Sequence, residues 1–257
     1  AHTVYFDDNF EDVNNATGVL RQTETTFTPG TLEFGKTYYW RVDELTGGRV
    51  SLIDKGKVWS FTTADFLLVD DFEYYDVGNN EIWWSWKDGL GYAEYDNEPA
   101  YSGNWTGSAV GDETTQSYTE ETIVHSGNQS MPLAYDNNKQ DRWNFSEVEM
   151  TLISRRYWTA EGLGLLTIWF YVAASNSAEP LYVVLNNNTV VNHDNPNAAQ
   201  IESWTQWDID LQVFADMGVD LINVKTIGLG LGDRNNPQPG GKGLMYFDDI
   251  RLYPPAQ

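Results

Sequence analysis

Apolar positions recur at every second residue through most of the chain, the mark of half-buried strands. Val4 and Phe6 alternate with Tyr5. Tyr38, Trp40 and Val42 oppose Tyr39, Arg41 and Asp43, and Trp59 and Phe61 oppose Ser60 and Thr62. These patterns predict strands over residues 3–6, 38–43 and 57–63, a further strand over 25–28, and turns at Pro29-Gly30 and Gly47-Gly48. Later, a strand is predicted over 66–72, and alternation marks Met131, Leu133 and Tyr135, then Val148, Met150 and Leu152. Leu166, Ile168, Phe170 and Val172 form an aliphatic face opposite Thr167, Trp169 and Tyr171. Leu181, Val183 and Leu185 oppose Tyr182, Val184 and Asn186; Trp207, Ile209 and Leu211 oppose Asp208 and Asp210. Ile227, Leu229 and Leu231 oppose Gly228, Gly230 and Gly232, and a strand over 244–253 closes the chain. One short helix is expected over 211–217, stopped by Gly218. Many short strands separated by Gly, Asn and Pro turns predict an all-β protein.

Charge divides the chain. The 257 residues carry 15 Lys plus Arg against 38 Asp plus Glu, a formal charge of −23. Residues 1–64 contribute −3 and residues 65–257 contribute −20, so a domain boundary is placed between 64 and 65. This balance speaks against nucleic acid, whose phosphates reward Lys and Arg, and against an anionic membrane surface. No run approaches the roughly 18 apolar residues of a membrane helix, so no membrane insertion is expected. Cysteine is absent, which removes disulfides, thiolate metal sites and cysteine nucleophiles together. Two stretches resist a strand reading. Residues 76–121 hold four Trp and many acids, too long and too aromatic for an idle or disordered loop. Residues 186–203 form the second.

Residues 1–64 resemble the later half of a fibronectin type III-like module, through Leu32-Glu-Phe-Gly-Lys-Thr-Tyr-Tyr-Trp-Arg-Val42 and Trp59-Ser-Phe-Thr62. Residues 65–257 resemble carbohydrate-binding, galactose-binding-like jelly rolls of secreted bacterial multidomain proteins. Val69-Asp-Asp-Phe-Glu73, the His125-to-Pro132 run and Tyr246-Phe-Asp-Asp-Ile-Arg-Leu252 carry that likeness. The fold expected is a partial fibronectin type III-like sandwich followed by a larger β-jelly-roll sandwich. The resemblance implies an extracellular or cell-surface module that binds polysaccharide without catalysis.

Asp71 and Glu73 sit at the first strand of the second part, Asp248 and Asp249 at its last. First and last strands can lie side by side in a jelly roll, and gathered carboxylates suit Ca2+ with its 6–8 oxygen ligands. The resemblance adds backbone oxygens of the 127–130 turn. Alternation places Asp248 on the inward face of Ile250 and Leu252. The other reading is a solvated acidic edge. For ligand binding, Trp169, Tyr171, Tyr182 and Asn186 leave the face opposite the aliphatic core, beside a strand that Gly228, Gly230 and Gly232 clear of side chains. Arg142, Trp143, Asp233 and Arg234 are expected on nearby loops. Flat aromatics stack on sugar rings, and planar polar groups bond hydroxyls. The alternative is that residues 76–121 fold over this face and make Trp169 and Tyr171 core. Three function classes stay open: a polysaccharide-binding module, a structural subunit of a filament or surface layer, and a polysaccharide-degrading enzyme. The structural reading draws on residues 1–64, which are short for a whole sandwich. Their apolar stripe of Phe6, Trp40 and Trp59 is expected to stand partly bare and to take its missing strands from the preceding part of a longer chain or from neighbouring copies.

Overall fold

The structure, a computed structural model, describes residues 1–17, 21–46, 52–95, 98–173 and 175–255. The expected Gly47-Gly48 turn lies outside the described residues. The chain divides into two compact units, Ala1–Phe66 and Leu67–Gln257.

The first unit contains β1 (His2–Asp7), α1 (Phe10–Asn15), β2 (Arg21–Gln22), β3 (Thr37–Thr46), β4 (Leu52–Asp54) and β5 (Trp59–Thr62). They form one sheet in the order β2-β1-β3-β4, with β5 also on β3. No strand covers residues 25–28; the chain pairs with β1 at Arg21–Gln22 instead. The alternation did not announce α1, although its start is conventional. Asn9 caps it by accepting from the Glu11 and Asp12 amides, and both acids favour the positive end of the helix.

The two faces of this sheet differ. On the polar side of β3, Arg41 and Asp43 are buried, because the Arg41 guanidinium takes up carbonyls at the end of α1. On the other side Phe6 stacks on Tyr38 at 5.2 Å, and Trp40 stacks with Trp59 at 6.4 Å. Trp59 is 55% exposed and Phe61 40% exposed. A groove of about 510 Å³ runs there, lined by Val4, Phe6, Phe27, Trp40, Val42 and Phe61 among others.

The second unit is a β-sandwich. Its elements are β6 (Leu67–Asp70), α2 (Ile82–Ser85), β7 (Trp86–Lys87), β8 (Ala109–Val110), β9 (Met131–Asp136), β10 (Ser146–Thr151), β11 (Leu165–Val172), β12 (Leu181–Leu185), β13 (Thr189–Asn192), β14 (Thr205–Asp210), α3 (Leu211–Asp216), β15 (Thr226–Leu231) and β16 (Lys242–Tyr253). One sheet is five-stranded, β13-β12-β15-β10-β7. The other is six-stranded, β14-β11-β16-β9-β8 with β6 on β16. The buried residues are the aliphatic alternates: Leu166, Ile168, Phe170 and Val172 from β11, and Ile227, Leu229 and Leu231 from β15. The helix runs over Leu211–Asp216 and ends before Gly218, whose φ of +91° suits a residue without Cβ.

Residues 76–121 are woven into the sandwich. They supply α2, β7 and β8, and bury Ile82 and Trp86 completely. The Trp86 indole donates to Asp70 Oδ2 at 2.8 Å, and the Tyr75 hydroxyl donates to the same oxygen at 2.6 Å. Burial holds the Asp70 carboxyl above the usual carboxylate range, and these donors work against that shift.

Candidate functional site

The ligand-contacting residues expected from the sequence fall on two different sheets. Trp169 and Tyr171 lie on the outer face of the six-stranded sheet. Tyr182 lies on the outer face of the five-stranded sheet, in register with Gly230 and, one strand further, Glu147. The alternation set Trp169, Tyr171 and Tyr182 opposite the aliphatic rows but could not say on which sheet each row lies.

On the five-stranded sheet, the space cleared by glycine is filled from within. A Cβ on Gly230 would stand 2.2 Å from Tyr182 Cζ, and one on Gly228 would stand 2.7 Å from Val184 Cγ1. The Tyr182 ring therefore lies across Gly230, fully buried, and its hydroxyl donates to Glu147 Oε2 at 2.9 Å. Arg234 Nη1 donates to the same oxygen at 3.2 Å, and Arg234 Nη2 donates to the Asn187 carbonyl oxygen at 3.1 Å. Burial raises the Glu147 carboxyl and the Tyr182 hydroxyl above their ordinary values. The corrected role of Tyr182 and the glycines is thus internal packing. Gly230→Ala is expected to cost about 1–3 kcal/mol by overpacking, read from the denaturant midpoint. Most of that loss should return in Gly230→Ala/Tyr182→Ala relative to Tyr182→Ala alone; failure to recover would mean that the ring is not the obstacle.

Asn186 also has a structural place. Its φ is +53°, and its Oδ1 accepts from the Lys225 amide at 2.6 Å, closing the turn after β12. Asp233 Oδ1 accepts from the amides of Asn235 and Asn236, forming an exposed turn.

On the six-stranded sheet, a register shift between Thr167 and Trp169 changes the phase of β16. Asp249, at φ +48°, is the extra residue. Asp248 consequently pairs with Trp169 on the outer face, and not with Ile250 and Leu252 on the inner one. The 123–126 segment covers this position. His125 stacks on Trp169 at 3.8 Å, its Nδ1 lies 2.7 Å from Asp249 Oδ2, and its amide donates to Asp248 Oδ2 at 2.9 Å. Trp169 thus has one ring face occupied by its own chain, supplied by the segment after residues 76–121. Tyr171 packs 5.7 Å from Trp204 and 6.1 Å from Tyr246.

The four acids expected to share Ca2+ stand at two stations. Asp248 and Asp249 belong to the His125 station, where Asp249 Oδ1 also accepts from Arg251 Nη2 at 2.5 Å. Glu73 Oε1 accepts from the amides of Asn128 and Gln129 at 2.7 and 2.8 Å. Gly127 permits that approach, since a Cβ there would lie 2.3 Å from the same oxygen. Asp71 Oδ1 accepts from the Glu73 amide. Among the described residues no three His, Asp or Glu side chains are grouped to hold an ion. The acids as arranged serve N–H donors, which does not fit a shared cation. Burial pushes the Asp248 carboxyl up to about 7, with the Ser126 and His125 amides acting against the shift.

The exposed chemistry lies at one end of the five-stranded sheet. Ser146, the first residue of β10, pairs with Leu231, the last of β15. The segments before β10 and after β15 therefore leave the sheet side by side, and they carry Arg142, Trp143, Asp233 and Arg234. Trp143 is 58% exposed. Its amide donates to the Trp105 carbonyl oxygen at 2.9 Å, which brings in a second indole, 55% exposed. The Arg142 guanidinium carbon is 5.2 Å from the Trp105 ring centroid, and its Nη1 donates to the Gly89 carbonyl oxygen at 2.8 Å. Asn104 Nδ2 and the Ser108 hydroxyl fix the Trp105 segment by donating to the Glu147 carbonyl oxygen, both at 2.7 Å. Two large rings are thus held on tied backbone while facing solvent. The sequence reading placed Arg142 and Trp143 near a site but missed Trp105. Its only signal is its position in the aromatic 76–121 stretch, whose partner strand no local pattern reveals.

No family model matches the chain, and no curated protein matches it. Among solved structures it is similar to the family 11 carbohydrate-binding module of cellulosomal cellulase Lic26A-Cel5E of Clostridium thermocellum, with 14% identity over 75% of this chain and 96% of that one, at a TM-score of 0.45. It is similar to an exo-beta-agarase at 12% identity over 76% of this chain but 25% of the agarase, with a TM-score of 0.44. The CBM22-1 xylan-binding domain from Paenibacillus barcinonensis Xyn10C gives 10% identity, 74% and 94% coverage and a TM-score of 0.38. At these scores the likenesses carry no argument about function, and the β-sandwich is established by the sheets described above.

Proposed function

We propose that residues 67–257 bind polysaccharide outside the cell without turning it over, stacking sugar rings on Trp105 and Trp143. The carrying observation is the pair of indoles, each more than half exposed, joined through a backbone hydrogen bond and flanked by the anchored Arg142. Burying such rings against an apolar ligand face is favourable, and their fixed backbone reduces the entropy lost on binding. Arg142 and Asp233 supply a donor and an acceptor for hydroxyls. The net charge of −20 over residues 65–257 turns this unit toward glycans that are neutral along most of their length. The Glu147 carboxylate is not free to act in hydrolysis, because it already serves Tyr182 and Arg234.

Affinity electrophoresis of the whole chain in gels containing soluble β-glucan, xylan or agarose tests this reading. Retarded migration by one of them, relieved by its free oligosaccharide, is expected, with no new reducing ends on long incubation. Unretarded migration across a broad glycan panel would sink the proposal. Release of reducing ends would replace it with an enzyme.

A further inference from the structure

A second groove lies in the same unit, and neither Trp105 nor Trp143 lines it. It has a volume of about 510 Å³, within the range of small-ligand sites. Val69, Met150 and Leu152 give it apolar lining. Trp84, Lys87 and Glu98 contribute from the chain around α2 and β7, and Arg155 contributes from the loop after β10.

The charges make this groove unusual for the protein. Residues 65–257 hold 9 basic side chains against 29 acidic ones. Two of those bases line this one groove. Like most of the nine, neither forms an ion pair with a carboxylate among the described residues; only Arg234 and Arg251 do. Lys87 is held in place by aromatic rings. Its ammonium lies 4.6 Å from the Tyr92 centroid and 5.5 Å from that of Tyr101, and it donates to the Tyr92 hydroxyl. Arg155 is exposed, yet one guanidinium nitrogen is anchored, donating to the Leu68 carbonyl oxygen at 2.7 Å. Its backbone stands at φ +57°, a conformation that costs a non-glycine residue energy. Glu98 offsets one cation and leaves the lining itself with one net positive charge, while Glu149 stands opposite Lys87 on β10.

We propose that this groove binds an acidic sugar unit, a hexuronate carried on an otherwise neutral glycan. The sugar ring lies against Trp84 and the apolar residues, and its carboxylate is taken by Lys87 and Arg155. Charge-assisted hydrogen bonds from anchored donors are the strong class. The ligand carries few acids because the rest of the unit repels a polyanion, while at physiological salt that repulsion is screened beyond about 8 Å. The groove shares no lining residue with Trp105 and Trp143, so this site and the proposed stacking site can fail independently.

The test is calorimetric titration of the 257-residue chain with two xylo-oligosaccharides of equal length, one unsubstituted and one bearing a single glucuronate. The substituted sugar is expected to bind at least about tenfold more tightly. Arg155→Gln and Lys87→Met should each remove most of that preference, on the scale of hydrogen bonds to charged groups. Glu98→Gln should increase it, a sign that mere damage to the fold would not produce. Trp143→Ala should weaken the unsubstituted sugar and spare the gain that the glucuronate brings, because Trp143 does not line this groove. Equal affinity for the two sugars in the wild-type chain would overturn the proposal. So would an unchanged preference in Arg155→Gln, whose exposed side chain can be replaced with little risk to folding.

Discussion

Trp143→Ala and Trp169→Ala should give opposite results, although both residues were placed near the same site by sequence. Trp143→Ala is expected to abolish retention on the cognate glycan. Its stability cost should stay within about 0.5 kcal/mol, as for an exposed side chain outside the core. A stacking ring at the centre of a binding surface commonly accounts for 2 kcal/mol or more, which is about thirtyfold in affinity. Trp169→Ala removes the ring on which His125 stacks at 3.8 Å, beside the bulged Asp248–Asp249 pair. It should therefore cost about 2–4 kcal/mol of stability, somewhat below a fully buried aromatic. Glycan retention should survive wherever the variant is folded. Denaturant melts and affinity gels on both variants check this. A stable, non-binding Trp169→Ala would move the site to the six-stranded sheet. A strongly destabilised Trp143→Ala would show that its exposed ring is structural.

The positions of most strands were legible because many of them bury one face. Leu166, Ile168, Phe170 and Val172 could be read directly as an inward row, and all are buried. The bulge at Asp249 was not legible. Nothing in Tyr246-Phe-Asp-Asp-Ile-Arg-Leu252 marks an extra residue, yet it reverses the face on which Asp248 lies. The glycine row shows a similar limit. Gly228 and Gly230 signalled a close approach, but the sequence could not distinguish a sugar from the chain's own Tyr182. Trp105 and Trp143 are separated by 38 positions and become neighbours through one backbone bond and the anchoring of Asn104 on Glu147. That pairing is a property of the folded sandwich, and no local period records it. In the first unit, the alternation set Arg41 on the face opposite the apolar stripe. Arg41 is only 1% exposed, because a helix without an alternating signature lies over it.

Arg41→Met should unfold the first unit. The guanidinium bonds both oxygens of Asp43, at 2.8 and 3.0 Å, and reaches the carbonyl oxygens of Val13, Asn14 and Ala16. It also lies 4.4 Å from the Tyr5 ring centroid. Those carbonyls belong to the end of α1, where the helix cannot satisfy its own acceptors. Removing the cation strands the Asp43 carboxylate, which is 4% exposed, together with three carbonyls. Breaking a buried pair from one side costs about 3–5 kcal/mol. A unit of this size has roughly 3–10 kcal/mol in total at typical stabilities per residue, so the loss takes most or all of it. Hydrogen exchange on the whole chain is the direct measurement. Amides of β1 and β3 should lose protection in Arg41→Met, while those of β11 and β15 in the sandwich keep theirs. Arg41→Met/Asp43→Leu should recover part of the loss, because the stranded charge is gone while the helix carbonyls still lack their donor and the Gly56 amide its acceptor. Retained protection in β3 of the single variant would show that the end of α1 finds its partners elsewhere. In that case Arg41 would not be what fastens the helix to the sheet.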